Sequence, residues 1–483
     1  MLLSILSALY LLGAVLLAVY ALGMVVLLLT YWRHRGEQVP LPQVDEWPTV
    51  AVQLPVYNEG HVIDHLLEAM AWLDYPRDRL VVQVLDDSTD ETTALIARRV
   101  KRLRLLGIQV QHIHRTSRSG FKAGALANAL EHVDADLVVV FDADFVPDAR
   151  FLRQTVPYLV ADRQVGMVQA RWGYLNPFDN ALTLGQTLAL DGHFVVEQTA
   201  RSRAGWLLNF SGSGGVWRAT CIGEAGGWRS TTLTEDLDLS YRAQLAGWRF
   251  LYLPDVVVPG QLPPQMAAYK RQQARWAQGS TQTLMTMLGP LARARLSLSQ
   301  KVMALMHLCQ YLPQLLMLLI ILLTPPLIGT HGLHRLPLGP LGLAGLGPPL
   351  LLVVSQRELY RNWQQRLLVF PVLMVLGIGL SWNNSLAVLR GLSSAGRQSE
   401  FLRTPKFTSD WSTSAYALRV DRQVWGEIFL ALYSLGGLLI ARHTYPTLMP
   451  YLALCTLGFS LVAIWTLYDT WRIAHHRPRQ RKA

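Results

Sequence analysis

Several short groups of residues in the first 280 positions combine side-chain types and spacings that could do chemistry. The apolar run Leu137-Val138-Val139-Val140-Phe141 ends in Asp142-Ala143-Asp144. Alternate side chains of an extended chain share a face. Both carboxylates can therefore converge on one hard cation, Mg²⁺ or Mn²⁺, with substrate phosphates completing its shell. A plain turn cap before Pro147 is the simpler alternative. A second apolar run, Val81–Leu85, ends in Asp86-Asp87. One of these acids can accept hydrogen bonds from a nucleobase or ribose while the other caps a helix beginning near Glu91. After a third run come Tyr57-Asn58-Glu59, where Tyr57 offers a ring face to a base and Glu59 a carboxylate to orient it. Lys122, in Ser119-Gly120-Phe121-Lys122-Ala123-Gly124, stands at a helix start, where free N–H groups and the ammonium together suit a diphosphate.

Two further groups lie downstream. Thr234-Glu235-Asp236-Leu237-Asp238 opens an amphipathic helix that runs to Leu245. Acids in a first turn are favourable in themselves, and Thr234 suits an N-cap. Moving a sugar onto a hydroxyl, however, needs a carboxylate that takes the proton as the bond forms. With the other acids committed to a cation, Asp236 is the choice for that base, with Glu235 beside it. In Gln272-Gln273-Ala274-Arg275-Trp276, residues 272, 275 and 276 share one helical face. Trp276 can stack on a pyranose, Gln272 can bind hydroxyls and Arg275 can meet a diphosphate. The same helix would also anchor at lipid headgroups.

The elements that must position these residues alternate. Strands are expected at Thr49–Leu54, Leu80–Leu85, Ile108–Ile113, Leu137–Phe141 and Gly166–Ala170, with helices at His61–Leu73, Glu91–Leu106 and Phe121–His132. Continuous apolar strands between helices predict a parallel sheet covered on both faces, with ligands beyond the strands' carboxyl ends. Glu59, the Asp86-Asp87 pair, and Asp142 and Asp144 fall at those ends.

The chain has 483 residues, 51% of them hydrophobic and 16% charged, with a net charge of +11. That balance points to a membrane protein rather than a soluble, disordered or fibrous one. Leu2–Thr30 has no charge and is long enough to span a bilayer, and Arg33, His34 and Arg35 after it place the following domain in the cytoplasm. Further spans are expected at Val302–Leu323, Leu338–Val354, Val424–Ile440 and Thr447–Tyr468, with Arg335 in the loop before the third. Leu367–Leu389, interrupted by Pro371 and by Ser381–Ser385, reads as an interfacial helix, because crossing there would put the basic segment 390–422 outside. The expected order is an anchor at 1–31, an α/β domain at 40–260, interfacial amphipathic helices at 261–300 and spans with an interfacial helix at 301–389. A cytoplasmic loop at 390–423, a hairpin at 424–471 and a basic tail at 472–483, with Arg472, Arg477, Arg479, Arg481 and Lys482, complete it. Three scattered cysteines form neither a zinc motif nor a disulfide framework. Positive charge gathers beside spans rather than on one soluble face, which argues against a nucleic-acid partner.

Taken together, Tyr57-Asn58-Glu59, Asp86-Asp87, Asp142-Ala143-Asp144, Thr234-Glu235-Asp236 and Gln272–Trp276 resemble the "D, D, D, QxxRW" signature of processive family 2 glycosyltransferases. That group includes the cellulose, hyaluronan and mannan synthases. Lys122–Leu126, Val168–Trp172, Val196-Glu197-Gln198 and Gly214–Arg218 look like the plant cellulose-synthase-like A and C groups and their bacterial relatives. The resemblance implies a GT-A (Rossmann-like) catalytic domain and inverting, metal-dependent transfer from a nucleotide sugar, UDP-glucose or GDP-mannose. It puts Tyr57, Glu59 and an Asp of the 86–87 pair on the nucleotide, Lys122 and Arg275 on the diphosphate, and Asp142 and Asp144 at the metal. It makes Asp236 the base and stacks Trp276 on the acceptor sugar at a membrane channel. Phe210-Ser211-Gly212-Ser213 is similar to the family's Phe-x-Cys-Gly-Ser acceptor segment, with serine in place of cysteine. Phe401, Thr404 and Lys406 match its FxxTxK gating loop.

The leading expectation is a polysaccharide synthase, multi-pass in the inner membrane of a bacterium or its equivalent, extending a β-glucan or mannan and passing it outward. Its partners would be the donor, the growing glycan and the bilayer, with the oligomeric state left open. A single-transfer glycolipid synthase and a nucleotide-sensing transporter are the alternatives. The near absence of ionisable residues within the apolar runs disfavours the transporter.

Overall fold

The structure is a computed structural model; it describes residues 1–476 apart from 133, 334, 335, 337 and 408–410. Arg335 and the tail residues Arg477, Arg479, Arg481 and Lys482 lie outside the described residues.

Seven strands build one sheet: β1 (Val50–Val56), β2 (Leu80–Asp86), β3 (Gln109–His114), β4 (Leu137–Val140), β5 (Val165–Tyr174), β6 (Gly215–Arg218) and β7 (Arg249–Gly260). Their spatial order is β3-β2-β1-β4-β6-β5-β7. The central strands are apolar on both sides because both faces are covered. Val139 belongs to the core beneath the helices Ile63–Trp72, Thr92–Leu105 and Phe151–Ala161, whereas its neighbours Val138 and Val140 belong to the core under Phe121–Leu130 and Glu235–Leu245. Alternation along a strand thus splits one hydrophobic run between two cores.

The sheet is mixed, not wholly parallel as expected. β6 runs antiparallel to both β4 and β5, while β7 returns parallel to β5. Neither β6 nor β7 was among the expected strands. β6 has only four residues and follows glycine-rich chain, so it carries no usable period. β7 contains Pro254 and Pro259, which argue against a central strand, but it is the edge strand, where a missing N–H is tolerated.

Among the described residues four helices are long and apolar enough to cross a membrane: Leu2–Arg33, Leu312–Gly329, Val424–Thr444 and a C-terminal one spanning Pro446–His475. The expected span Leu338–Val354 is instead two short helices, Leu338–Ala344 and Gly347–Leu359. Its break falls in a stretch rich in glycine and proline. The segment read as interfacial forms two helices, Trp363–Gly379 and Ser381–Ser393, bent by 45°. Together they have the length and composition of a fifth span. The expected start of the second span is also displaced, since Leu298–Leu308 is a separate helix before Leu312–Gly329.

One amphipathic helix, Met266–Arg293, joins the sheet domain to these helices. Its Lys270 is fully buried, with Nζ 2.5 Å from Glu427 and 3.2 Å from Asp421. Asn383 Nδ2 donates to the Lys270 carbonyl at 3.0 Å, and Asp469 Oδ2 accepts from the Met266 amide at 2.8 Å. The start of the helix is thereby pinned to three membrane-side elements. Removing one partner of a buried ion pair strands the other charge, at a cost of roughly 3–5 kcal/mol. Lys270→Met is therefore expected to lower the thermal unfolding temperature in detergent sharply. The double variant Lys270→Met/Glu427→Leu should recover most of the loss, and thermal unfolding of the pair checks this.

Candidate active site

The strand ends deliver the acids into one cleft. Beyond β1, Asn58 adopts a left-handed φ of +54°, and its amide oxygen accepts from the Thr89 N–H at 2.8 Å. Its own N–H donates to Ser88 Oγ at 2.9 Å. Asn58 therefore ties the loop after β1 to the loop after β2, leaving Tyr57 and Glu59 to face the cavity. The two acids after β2 part company. Asp86 is fully buried, between His112 Nε2 at 3.0 Å and His114 Nδ1 at 3.3 Å. Burial alone would raise its carboxyl, but hydrogen bonds from His112 and Ser88 hold it at about 2. Asp87 lines the cavity and grips Arg115 bidentately, at 2.8 and 2.6 Å.

Asp142, Asp144, Glu235 and Asp236 line the same cavity with Glu59. Two lysines offset this negative charge. Lys122 Nζ is 2.5 Å from Asp142 and 3.6 Å from Glu235, and it donates to the Gly212 carbonyl at 2.9 Å. Lys406 Nζ meets Asp144 at 2.8 Å and also donates to the Gln261 carbonyl. The compensation is incomplete. Burial and the nearby Glu235 charge push the Asp236 carboxyl up to about 7, against the opposing pull of Lys122. Glu59 is likewise raised to about 7, by burial and, beyond the lowering effect of Arg403, by the charges of Asp144 and Asp142.

Local backbone geometry makes these approaches possible. Gly212 has φ +83°, and a Cβ there would come within 2.9 Å of Asp236 Oδ2. A Cβ at Gly279, on the long helix, would collide with Thr234 at 2.6 Å, so a glycine lets that helix close over the start of Glu235–Leu245. Thr234 makes no side-chain cap. Its hydroxyl instead pairs with Thr283 of the long helix at 3.3 Å, correcting the expected N-cap. Phe121, a bulky residue, takes φ +52° immediately before Lys122. Such strain is kept where surrounding structure enforces it, here to turn the ammonium into the acids.

Gln272, Arg275 and Trp276 line the cavity from the long helix. Opposite them come Phe401, Thr404 and Lys406, with the Arg275 guanidinium 4.5 Å from the centre of the Phe401 ring. A second cavity of about 310 Å³ continues from the first, which measures about 140 Å³. Trp172, Ser211, Asp236, Gln272 and Trp276 border both. The second reaches Tyr20 of the N-terminal helix, as well as Gln310 and Tyr311.

Some expected residues lie elsewhere. Phe210 is fully buried against Trp217, with centroids 5.6 Å apart, and belongs to the core. Ser213 is also buried, and its hydroxyl accepts from the Asp142 N–H at 3.1 Å. Of the expected acceptor segment, Ser211 and Gly212 line the cavity while Phe210 and Ser213 support it. Asp86 likewise does not line it. The resemblance groups all four, and alternation in a glycine-rich turn is not readable from sequence to divide them. Residues that no motif contains include Arg118 and Gln261, both on the cavity wall; Trp172 and Arg403 lie within quoted stretches but carried no assigned role, and they line it too.

The sheet order and the acid-lined cleft beyond its strand ends define a GT-A type glycosyltransferase domain with apolar helices attached. Residues 48–279, just under half of the chain, match the family model described as "Glycosyltransferase like family 2". The chain is 41% identical over 258 residues to "Probable glucomannan 4-beta-mannosyltransferase 7" of Oryza sativa subsp. japonica, covering 51% of this chain and 44% of that protein. It is 40% identical over 243 residues to "Glucomannan 4-beta-mannosyltransferase 1" of Cyamopsis tetragonoloba, covering 50% and 46%. The chain thus spans about half the length of these curated relatives. Both are plant proteins and lend no support to a bacterial inner membrane. A solved mannosyltransferase from Pyrobaculum calidifontis, in complex with GDP-Man and Mn2+, shares the fold, with a TM-score of 0.54 and 24% identity over 79% of this chain and 99% of that one.

The donor set suits a hard divalent ion. Among the described residues no three His, Cys, Asp or Glu side chains are grouped to hold an ion by themselves. Two carboxylates at a strand end, each already against an ammonium, are the set that substrate phosphates would complete. Asp142→Ala or Asp144→Ala should therefore weaken Mn²⁺ binding in the presence of nucleotide by at least about tenfold, a loss of a charged ligand read by titration calorimetry. The raised Asp236 carboxyl has a signed consequence for stability. Holding a proton more tightly when folded than at its ordinary 3.8, it contributes stability below that value and loses it as pH rises through about 7. Asp236→Asn should therefore unfold at a higher temperature than the parent above pH 7, and the two should converge near pH 4.

Proposed function

We propose that the protein is a membrane-embedded inverting mannosyltransferase that extends a β-linked glucomannan- or mannan-type chain from GDP-mannose. The single observation that carries this reading is the place of Asp236. It borders both the cleft that holds the acids and lysines and the second cavity leading to the membrane helices. A base at that junction can serve a hydroxyl arriving from one side and a donor sugar held on the other. The glucomannan 4-beta-mannosyltransferase relatives and the GDP-Man and Mn2+ of the P. calidifontis enzyme favour GDP-mannose over UDP-glucose as donor.

In this reading Tyr57 and Asp87 receive the nucleoside, and Lys122 and Arg275 face the diphosphate. Asp142 and Asp144 would hold a divalent ion, which when bound neutralises charge on the departing diphosphate. Phe401, Thr404 and Lys406 close the cleft from the loop side and exclude water. Trp276 and Trp172 offer ring faces to the acceptor sugar. Asp236, ionised, accepts the proton of the acceptor hydroxyl as its oxygen bonds to the donor C1 on the face opposite the leaving group. The C1–O bond to the diphosphate breaks, GDP departs, and the lengthened glycan occupies the second cavity. The charge flanking the N-terminal helix supports a cytoplasmic side for the catalytic domain.

The test supplies purified protein with GDP-mannose or UDP-glucose, Mn²⁺ and an oligosaccharide primer, then sizes the products with and without a β-mannanase. The reading predicts a mannanase-sensitive ladder from GDP-mannose. A single discrete glycolipid would support single transfer instead, and no sugar release from either donor would overturn the reading. Asp236→Asn should lower transfer at least about a thousandfold while GDP affinity changes little. In the parent, turnover at saturating donor should rise with pH through about 7, because the base must be ionised.

A further inference from the structure

Arg118 belongs to none of the motifs above, yet it forms part of the cavity wall beside Tyr57 and Asp87. Its guanidinium lies 3.5 Å from the centre of the Tyr57 ring and 5.0 Å from that of Phe121. Its Nε is buried with no hydrogen-bond partner among the described residues. Arg115, three residues earlier, is the instructive contrast: both arms of its fork are filled by Asp87, and it donates to the Phe121 carbonyl at 3.1 Å. One arginine of this loop is structural, and the guanidinium of the other lies against two ring faces with the Asp87 charge nearby. A guanidinium offers five N–H donors in a fixed plane, and a buried donor left unmade is costly. The natural partner is a planar ligand that brings acceptors into the cleft.

We propose that Arg118 selects the donor's base, meeting the O6 and N7 acceptors of guanine with its N–H fork while the base lies on the Tyr57 ring. The inference rests on the nucleotide-sugar reading of this cavity. Guanine presents two adjacent acceptors on that edge, and an arginine fork matches them bidentately. Uracil presents a single carbonyl oxygen there, so half of the fork would go unused. In this proposal the base takes the Tyr57 ring face that the guanidinium now covers, and the Arg118 side chain swings to the base's edge. Lys122, four residues later, faces the acids at the diphosphate end. The tight turn through Gly120 and Phe121, at φ +72° and +52°, thus fixes the span between base and phosphate contacts.

The experiment measures dissociation constants of the full chain in nanodiscs, with Mn²⁺, for GDP, UDP and 7-deaza-GDP, in which a C–H replaces N7. The parent should bind GDP more tightly than UDP and lose roughly tenfold on 7-deaza-GDP, the cost of one arm of a bidentate contact. Arg118→Met should weaken GDP by roughly tenfold to a hundredfold, leave UDP within about twofold, and abolish the distinction between GDP and 7-deaza-GDP. Arg118→Lys, which keeps the charge but not the fork, should also lose that distinction. Equal affinity of the parent for GDP and 7-deaza-GDP would overturn the proposal without any variant. Equal loss of GDP and UDP in Arg118→Met would overturn it too, making Arg118 a general charge contact. Only nucleotides are used, so failure of sugar transfer would refute the mannosyltransferase reading and leave this measurement standing.

Discussion

Concentrated negative charge governs this structure. Asp142, Asp144, Glu235, Asp236 and Glu59 converge on one cleft, and two lysines from distant parts of the chain are drawn onto them. Like charges gathered away from water cannot all stay ionised, which is why Asp236 and Glu59 sit near neutrality. Such an arrangement is costly for a fold and is retained where chemistry needs it. The surrounding architecture answers that cost. Strand ends fix Asp142 and Asp144, the first turn of Glu235–Leu245 fixes Glu235 and Asp236, Gly212 lets the chain pass close to Asp236, and the strained turn before Lys122 aims an ammonium at them.

The same electrostatics link the soluble and membrane parts. Lys406 reaches Asp144 from the loop that follows the bent helix pair, while Arg403, from the same loop, approaches Glu59 at 3.8 Å. Phe401 meanwhile rests on Arg275 of the long helix. The loop is therefore held over the cleft by charges that an incoming cation and diphosphate would themselves seek. In the proposed reading a divalent ion would take the place of the Lys406 ammonium at Asp144, freeing that ammonium for the diphosphate. On the other side, Lys270 pins the long helix to Glu427 and Asp421, so that Gln272 and Trp276 keep their place at the junction of the two cavities.

Much of this was legible in the sequence, and the pattern of success has physical reasons. The buried central strands β1, β2 and β4 announce themselves as apolar runs, and acids directly after such runs can only emerge at the strands' carboxyl ends. Asp142, Asp144 and Asp87 were located that way. Asp86 and Asp87 could not be separated, because which one turns inward depends on His112 and His114, which come from a neighbouring strand. Phe210 and Ser213 were placed in the cavity by resemblance alone. A turn with two glycines at positive φ decides their direction, and no periodicity reports it. β6, with four residues, and β7, with two prolines, lack the signals by which strands are read. The break at residues 345–346 shows the reverse problem: mean apolarity suggests a span where glycine and proline prevent a continuous helix. Nothing in the sequence marks Arg118, because what sets it apart is a buried Nε with no hydrogen-bond partner among the described residues.

The central claim, that the convergent carboxylates form a cation site which the lysines occupy in its place, is tested most directly by a structure of the full chain with Mn²⁺ and an unreactive GDP-mannose analogue. Metal-specific scattering between Asp142 and Asp144, with the Lys406 ammonium displaced from Asp144, is the predicted result. Both lysines still seated on their carboxylates, with the nucleotide bound and the ion elsewhere, would contradict it.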